Sequence, residues 1–398
     1  MKLSERIGRI KPSATLAVNT KANALKRSGV NIINFGVGEP DFDTPLNIRK
    51  AAKESICIGR TRYTAAGGID ELKDAVCNTI KTDYGLSYGR ENVLISCGGK
   101  HALYNLFMTL LDPGDEVIIP SPYWVSYPDM VSLANAKPVI VACSEKDGFI
   151  LQPEDLERAI TPATRLLILN SPSNPTGRYY VPDQLKALAE VLLRHENVLI
   201  ASDDIYYRIL FGGRKWANLA MVEAKLRDRI FIINGVSKTY CMTGWRIGYL
   251  IGDPMVIKAA ADLQSQVTSN PTSISQWASL EALTGDQKEA AEMAQTFEKR
   301  CSRVLEYISD LPGVTCPEPH GAFYIFPNFS AYLGKKFGER TINGSLDLTE
   351  FLMEEAHVAV VPGNAFGEDS CLRFSYALAM EEIDQGFEAV KRALKKLG

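Results

Sequence analysis

The middle of the chain contains short apolar runs separated by helical patterns, and this alternation restricts the possible fold more than any other feature. Each run is apolar along its whole length, whereas a strand with one face in water would alternate apolar and polar residues. Strands that alternate with helices form parallel sheets covered by helices on both faces. The pattern therefore predicts an α/β protein with a mostly parallel, seven-stranded sheet. The expected strands are 93–97, 116–120, 138–142, 165–170, 198–203, 230–235 and 247–252.

One connection is too short for this pattern. Only eleven residues, VSKTYCMTGWR, separate the run at 230–235 from the run at 247–252. A parallel pair needs a crossover of about a dozen or more residues, usually a helix. We therefore expect 247–252 to run antiparallel within the sheet.

The last third of the chain has a different character. Long helices at roughly 255–307 are followed by the short strand-like segments GAFYIFPN, AVVPG and RFSYA and by a final helix. This order of elements predicts a smaller α+β unit beside the parallel sheet.

Composition argues against several classes of protein. The 398 residues include 44 Lys plus Arg and 47 Asp plus Glu, a net charge of −3, whereas a nucleic-acid-binding protein needs a concentrated basic surface. No run approaches the roughly 20 apolar residues that span a bilayer, and the N-terminus lacks the apolar core of a secretory signal. The eight cysteines and four histidines show no metal-ligand spacing. We expect reduced thiols, no metal site and a cytoplasmic location.

Five polar loops follow predicted strands: GGKHA, PYWVS, SPSNPTG, DDIYY and GVSKTY. Open α/β sheets bind ligands at the C-terminal ends of their strands, so these loops should converge on one crevice. Nucleotide-binding motifs are not met, because NFGVGEPD lacks the third glycine of GxGxxG and Ser237 in GVSKT stands where a phosphate loop requires glycine.

The segment SKTYCMTGWRIGY carries the strongest chemical signal. It places Lys238 just after an apolar strand and a second cation, Arg246, eight residues later. A loop lysine is usually solvated, but a lysine that is desolvated or beside another cation has a lowered pKa and can form an imine with a carbonyl compound. The segment resembles the cofactor-lysine region of class I aminotransferases, enzymes of pyridoxal-phosphate (PLP) fold type I, with Lys238 as the lysine that carries PLP.

The resemblance extends over essentially the whole chain and implies its domain organisation. A large PLP-binding domain is expected at 48–285. A small domain is expected from the two termini, residues 1–47 and 286–398. The resemblance also implies that the small domain closes over the substrate and excludes water.

Other loops resemble the residues around the cofactor ring. Asn174 and Tyr206 resemble the groups that hydrogen-bond the phenolic oxygen of PLP, and Trp124 resembles the aromatic side chain that stacks on the ring. Asp203 resembles the carboxylate that keeps the pyridine nitrogen protonated, so that the ring acts as an electron sink. The expected catalytic residues are Lys238, Asp203 and Tyr206.

A further group resembles the phosphate site of the cofactor. GGKHA opens a helix at Gly99 and Lys100, where free backbone N–H groups and the helix dipole favour an anion. Ser237 and Arg246 resemble the side-chain ligands of the same phosphate. Tyr63, in RYTAAGG, resembles a tyrosine that reaches the phosphate of the neighbouring subunit, so the resemblance implies a homodimer with shared active sites.

The substrate site is implied in the same way. Arg373, in RFSYA, resembles the arginine that binds the substrate α-carboxylate through two charge-assisted bonds. The chain is most similar to bacterial aspartate aminotransferases of the Ib type, in which residues matching Lys100 and Thr15 are associated with the distal carboxylate. The expected substrate-binding residues are Gly38, Lys100, Trp124, Asn174, Arg373 and Thr15.

The implied activity moves the amino group of L-aspartate to 2-oxoglutarate and gives oxaloacetate and L-glutamate by a ping-pong mechanism. The expected partners are therefore small-molecule substrates, namely amino acids and 2-oxo acids. Acceptance of prephenate or aromatic amino acids stays open. Less favoured alternatives are a PLP lyase and the ligand-sensing module of a transcriptional regulator, which would carry a DNA-binding domain ahead of the matching part that begins here near residue 11.

Overall fold

The structure is a computed structural model that describes residues 1–10, 12 and 14–398. The helices are α1 Ala14–Arg27, α2 Leu46–Cys57, α3 Asp70–Tyr84, α4 Gly99–Leu110, α5 Tyr127–Leu133, α6 Pro153–Ala159, α7 Pro182–Arg194, α8 Leu219–Val222, α9 Pro254–Val267, α10 Ser273–Thr284, α11 Lys288–Ser309, α12 Ser345–Glu355 and α13 Met380–Leu394. The strands are β1 Ile33–Asn34, β2 Val93–Ser96, β3 Glu116–Ser121, β4 Lys137–Ala142, β5 Thr164–Asn170, β6 Leu199–Asp203, β7 Ile230–Gly235, β8 Gly248–Ile251, β9 Tyr324–Ile325, β10 Lys336–Phe337, β11 Arg340–Thr341, β12 Val358–Ala359, β13 Val361–Pro362 and β14 Leu372–Ser375.

The seven predicted strands form one sheet in the order β2-β8-β7-β6-β5-β3-β4. Parallel pairing joins β4, β3, β5, β6 and β7 in that order. β8 is antiparallel to both of its neighbours, β7 and β2. The predicted α/β fold and the antiparallel strand at 247–252 are therefore confirmed. A single 3₁₀ turn, Thr243–Trp245, lies in the short connection before β8.

Neighbouring residues of one strand enter different apolar cores, which explains why the strands do not alternate in polarity. Ile118 packs in one core, with helices α3 and α7, and Ile119 packs in the other, with α4 and α5. β4 departs from this rule, since Ile140 is 43% exposed. β4 is the edge strand of the sheet, so its apolar sequence is only partly covered.

A smaller unit joins the two ends of the chain. β1 pairs in parallel with β12, and β13, β14 and β9 form an antiparallel sheet. Phe35 packs edge-on against Phe374 and Phe387, at centroid distances of 5.6 and 5.3 Å. The N-terminal segment thus shares an aromatic core with the C-terminal third. The domain limits at residues 47 and 285 stay a prediction.

None of the helices in the described part of the chain combines the length and the apolar character that crossing a membrane requires. Within residues 1–10, 12 and 14–398, no cluster of three or more His, Cys, Asp or Glu side chains is placed to hold a metal ion.

Candidate active site

A cavity of about 450 Å³ lies where the parallel strands of the sheet end. All five of the polar loops contribute to its wall, together with segments from the smaller unit. The cavity brings together every predicted site residue except Tyr63, namely Thr15, Gly38, Gly99, Lys100, Trp124, Asn174, Asp203, Tyr206, Ser237, Lys238, Arg246 and Arg373. Tyr63 lies outside the cavity wall and is 91% exposed.

Lys238 lies three residues after the end of β7, and it lines the cavity. Its Nζ donates a hydrogen bond of 2.6 Å to the backbone oxygen of Gly38. Burial lowers the pKa of the Lys238 amine to about 8, and the positive charges of Arg373 and Arg246 act in the same direction. A larger fraction of this amine is therefore uncharged near neutral pH than in an ordinary lysine, and an uncharged amine is a nucleophile.

Asp203 is the last residue of β6, so the sheet fixes its backbone. Burial raises the pKa of its carboxyl group to about 6. The hydroxyl of Tyr127 donates a hydrogen bond of 2.6 Å to Oδ2 and opposes that rise, because it favours the ionised form.

Tyr127 was not predicted as a site residue. α5 begins at Tyr127, one residue before Pro128, which suits the first turn of a helix. Trp124 therefore stays in the loop and faces the cavity, and its ring packs edge-on against Tyr127 at 5.3 Å. The sequence contained a weak signal for this contact, since both aromatic residues lie in SPYWVSYP.

One end of the cavity is suited to an anion. α4 begins at Gly99 beside the guanidinium of Arg246, and a Cβ at Gly98 would collide with that group. Gly98 also has φ +92, a conformation that side chains other than glycine rarely adopt. The helix start and Arg246 approach each other closely only because this residue has no side chain. The N-terminus of α4 and the guanidinium therefore line the cavity side by side, and both favour an anion.

Lys100 lies in the same region, with its Nζ 4.9 Å from the centre of the Trp124 ring. Burial lowers the pKa of this lysine, and the charge of Arg246 adds to the effect. A cation at a helix N-terminus beside a second cation is electrostatically unfavourable without an anion. Lys100 and Arg246 at the start of α4 therefore favour the binding of a negatively charged ligand.

Arg373 is 2% exposed and lines the same cavity. Its Nη1 donates to Oδ1 of Asn174 at 3.1 Å and its Nη2 to the backbone oxygen of Gly36 at 2.8 Å. Its Nε has no partner in the described residues. Other buried arginines do pair with carboxylates, as Arg300 does with Asp41 at 2.7 Å. Burial of a guanidinium without a carboxylate partner costs free energy, and the carboxylate of an acidic ligand would offset that cost.

Two further cavity residues were missed by sequence reasoning. The hydroxyl of Tyr324 lies 3.0 Å from the hydroxyl of Tyr206, and its ring faces the guanidinium of Arg373. Asn170 accepts a hydrogen bond of 2.8 Å from the backbone N–H of Asn174. No local pattern marks either residue, since each is an ordinary polar position at the end of a strand.

The family model for class I and class II aminotransferases matches residues 30–390. The chain belongs to this family. The resemblance to class I aminotransferases is thereby confirmed, and PLP is the cofactor that membership implies.

Curated relatives and solved structures agree with this assignment. An aspartate/prephenate aminotransferase of Cereibacter sphaeroides is 50% identical over 382 residues, 96% of each chain. An aspartate aminotransferase of Bacillus subtilis is 44% identical over the full length of both chains. The crystal structure of the Rhizobium meliloti aspartate aminotransferase has a TM-score of 0.97 and 44% identity and covers 100% of both chains.

The charges of the cavity residues in this aminotransferase suit the binding of PLP. Four cations line the cavity, namely Lys100, Lys238, Arg246 and Arg373, against the two carboxylates of Glu39 and Asp203. None of these cations forms an ion pair with a carboxylate of the described residues. The excess positive charge suits a cofactor with a phosphate group and a substrate with carboxylates.

Proposed function

We propose that this aminotransferase transfers the amino group of L-aspartate to 2-oxoglutarate and so forms oxaloacetate and L-glutamate. The observation that carries the proposal is the Lys238 amine of lowered pKa, which shares one cavity with the anion site at α4 and with Arg373, a buried guanidinium that has no carboxylate partner among the described residues. The names of the relatives in Cereibacter sphaeroides and Bacillus subtilis support aspartate as the amino donor.

The cofactor would be held at both of its ends. Asp203, Asn174 and Tyr206 would hold the ring, with Trp124 stacked on it and Lys238 as the covalent anchor. The phosphate would lie at the start of α4, with Gly99, Lys100, Ser237 and Arg246 as its ligands. When bound, PLP supplies an electron-withdrawing ring that accommodates the charge left when a proton leaves the substrate Cα.

Residues of the chain bind the substrate and transfer its Cα proton. Arg373 binds the α-carboxylate of aspartate with a planar fork, and the backbone of Gly38 faces the same group. Nζ of Lys238 then removes the proton from Cα as a general base, which its lowered pKa favours. Asp203 stays ionised with help from Tyr127 and balances the positive charge of the ring nitrogen.

Lys100 and Thr15 are proposed to bind the distal carboxylate of aspartate and of 2-oxoglutarate. Both line the cavity, and Lys100 has no ion-pair partner among the described residues. The two acids use the site in turn, since oxaloacetate leaves before 2-oxoglutarate binds. Closure of the small domain, residues 1–47 and 286–398, over the large domain, residues 48–285, would exclude water during each half-reaction.

We also propose a homodimer in which Tyr63 reaches the phosphate site of the second copy. Tyr63 is 91% exposed, and Ile56 and Ile58 nearby in the chain are 55% and 57% exposed. Exposed aromatic and aliphatic side chains in one region support a protein interface. The eight cysteines, all free thiols, support a cytoplasmic location.

A second candidate substrate is prephenate or an aromatic amino acid. The aliphatic side chains of Leu16, Val37 and Val125 line the cavity beside its polar groups, and such a wall accommodates a ring. The aspartate/prephenate aminotransferase of Cereibacter sphaeroides supports this option.

The test is an assay of the PLP-loaded protein with aspartate, with and without 2-oxoglutarate. We expect one equivalent of oxaloacetate per site with aspartate alone and sustained oxaloacetate and glutamate formation with both substrates. Phenylalanine in place of aspartate and prephenate in place of 2-oxoglutarate measure the second candidate. Release of more than one equivalent of ammonia or carbon dioxide per site without 2-oxoglutarate would refute transamination.

A further inference from the structure

Tyr324 occupies a position between the two halves of the cavity. It is the first residue of β9, it is 1% exposed, and its ring lies 4.7 Å from the guanidinium carbon of Arg373. Its hydroxyl lies 3.0 Å from the hydroxyl of Tyr206. Tyr324 thus contacts one residue on the proposed substrate side and one residue on the proposed cofactor side.

The hydroxyl pair can be arranged in two ways, because either oxygen can donate to the other. Each tyrosine has a single proton to donate. If Tyr206 donates its proton to the phenolic oxygen of PLP, as the proposed function requires, it can only accept from Tyr324. We propose that Tyr324 is a positioning residue that donates to Tyr206, directs the Tyr206 proton into the cavity and holds Arg373 with its ring.

The surroundings of the pair are consistent with two neutral hydroxyls. Burial raises the pKa of Tyr206 and of Tyr324 above the ordinary value, so both keep their protons at neutral pH. The positive charge of Arg373 opposes that rise in both residues. A carboxylate bound to Arg373 would weaken this opposing effect, so both hydroxyls would stay protonated when the substrate is bound.

A chain of hydrogen bonds is stronger than its separate members, because each bond polarises the next. Donation from Tyr324 makes Tyr206 a better donor to the phenolic oxygen. A bond donated to that oxygen draws negative charge from it and lowers the pH at which the PLP–lysine chromophore loses its proton. The loss of the Tyr324 hydroxyl should therefore raise that pH.

The experiment is a pH titration of the visible absorption of the PLP-loaded protein, for the wild type and the variants Tyr206→Phe, Tyr324→Phe and Tyr324→Leu. We expect Tyr206→Phe to raise the midpoint and Tyr324→Phe to raise it by about a tenth to a third as much. The matched control is Tyr332→Phe, a tyrosine that is 4% exposed in the same apolar cluster but outside the cavity wall. We expect it to leave the midpoint unchanged.

The second measurement is the dissociation constant of maleate, an unreactive dicarboxylate. Tyr324→Phe keeps the aromatic ring over Arg373 and should change this constant by less than about twofold. Tyr324→Leu removes the ring and should weaken maleate binding by about two- to fivefold, the usual effect of a cation–π contact.

Two results of the pH titration would overturn the inference: Tyr324→Phe has the wild-type midpoint while Tyr206→Phe does not, or Tyr206→Phe itself leaves the midpoint unchanged. Binding of maleate by Tyr324→Leu with the wild-type dissociation constant would also overturn it. It rests on the proposed function, which fails separately if the wild-type protein binds no PLP or does not transaminate.

Discussion

The cavity has two walls that are built in different ways. The sheet wall consists of residues that follow the strands of the parallel sheet, namely Gly99, Lys100, Trp124, Asn174, Asp203, Tyr206, Ser237, Lys238 and Arg246. The terminal wall consists of residues from the two ends of the chain, namely Thr15, Gly38, Tyr324 and Arg373.

The two walls differ in how their positions are fixed. Asp203 and Lys238 are held by strands in the middle of the sheet, whose hydrogen bonds continue on both sides. Arg373 depends on contacts such as its bond to Gly36, 337 residues away in the chain. We therefore propose that the chemistry lies on the sheet wall and that substrate selection lies on the terminal wall. The following predictions test that division, from the largest expected effect to the smallest.

On the sheet wall, Lys238→Ala should abolish turnover, because it removes both the covalent anchor and the general base. Loss of acid–base catalysis alone costs about 10²–10⁴-fold in rate. Steady-state kinetics measure the effect, and the exposed Lys225→Ala provides the matched control. Activity of Lys238→Ala near that of the wild type would refute the assignment.

On the terminal wall, Arg373→Lys should raise the KM of aspartate and of 2-oxoglutarate with a smaller change in kcat. A lysine keeps the charge but loses the planar fork, and one lost charge-assisted hydrogen bond corresponds to about 10–150-fold. The PLP absorption spectrum reports whether the variant keeps its fold. Equal falls in kcat with unchanged KM for both acids would place Arg373 in the chemical step and break the division between the walls.

Lys100 is the exception, since it lies on the sheet wall but is proposed to bind the distal carboxylate. Lys100→Ala should raise the KM of aspartate by about tenfold or more and the KM of phenylalanine much less, because only aspartate has that carboxylate. The ratio of the two effects cancels any general loss of PLP. Equal effects on both substrates would exclude Lys100 from the specificity site.

Next to Asp203 in the cavity wall, Tyr127→Phe should shift the pH dependence of PLP binding. Asp203 supports PLP binding only when it is ionised, so the contribution is complete well above its pKa of about 6 and is lost as the pH falls through that value. Removal of the Tyr127 bond raises the pKa further, because that bond favours the ionised carboxylate.

The acid limbs of PLP affinity and of activity should therefore move to higher pH in Tyr127→Phe, with little change above about pH 8. Equilibrium titration with PLP between pH 5 and about 8.5 measures the shift. The buried Tyr180→Phe, whose hydroxyl accepts from a backbone N–H outside the cavity wall, is the control. Superimposable acid limbs for Tyr127→Phe and the wild type would show that this tyrosine does not tune Asp203.

Much of the sheet wall could be predicted from the sequence. Apolar runs without alternation identify buried strands, and the eleven-residue connection before β8 requires an antiparallel pair. Lys238 and Asp203 lie in segments at the ends of such strands, and the resemblance of those segments to class I aminotransferases marked the two residues. These are local properties, since a run of residues and the length of a loop do not depend on distant parts of the chain.

The tertiary structure decided the rest. The contact of Tyr127 with Asp203, the hydroxyl pair of Tyr206 and Tyr324, and the bond of Arg373 to Asn174 join residues that are 76 to 199 positions apart. The pKa values of about 8 for Lys238 and about 6 for Asp203 come from burial, and burial depends on every element that packs around the cavity. The sequence alone determined which side chains follow the strands, and only the packed chain determined how acidic or basic those side chains are and which neighbours direct their protons.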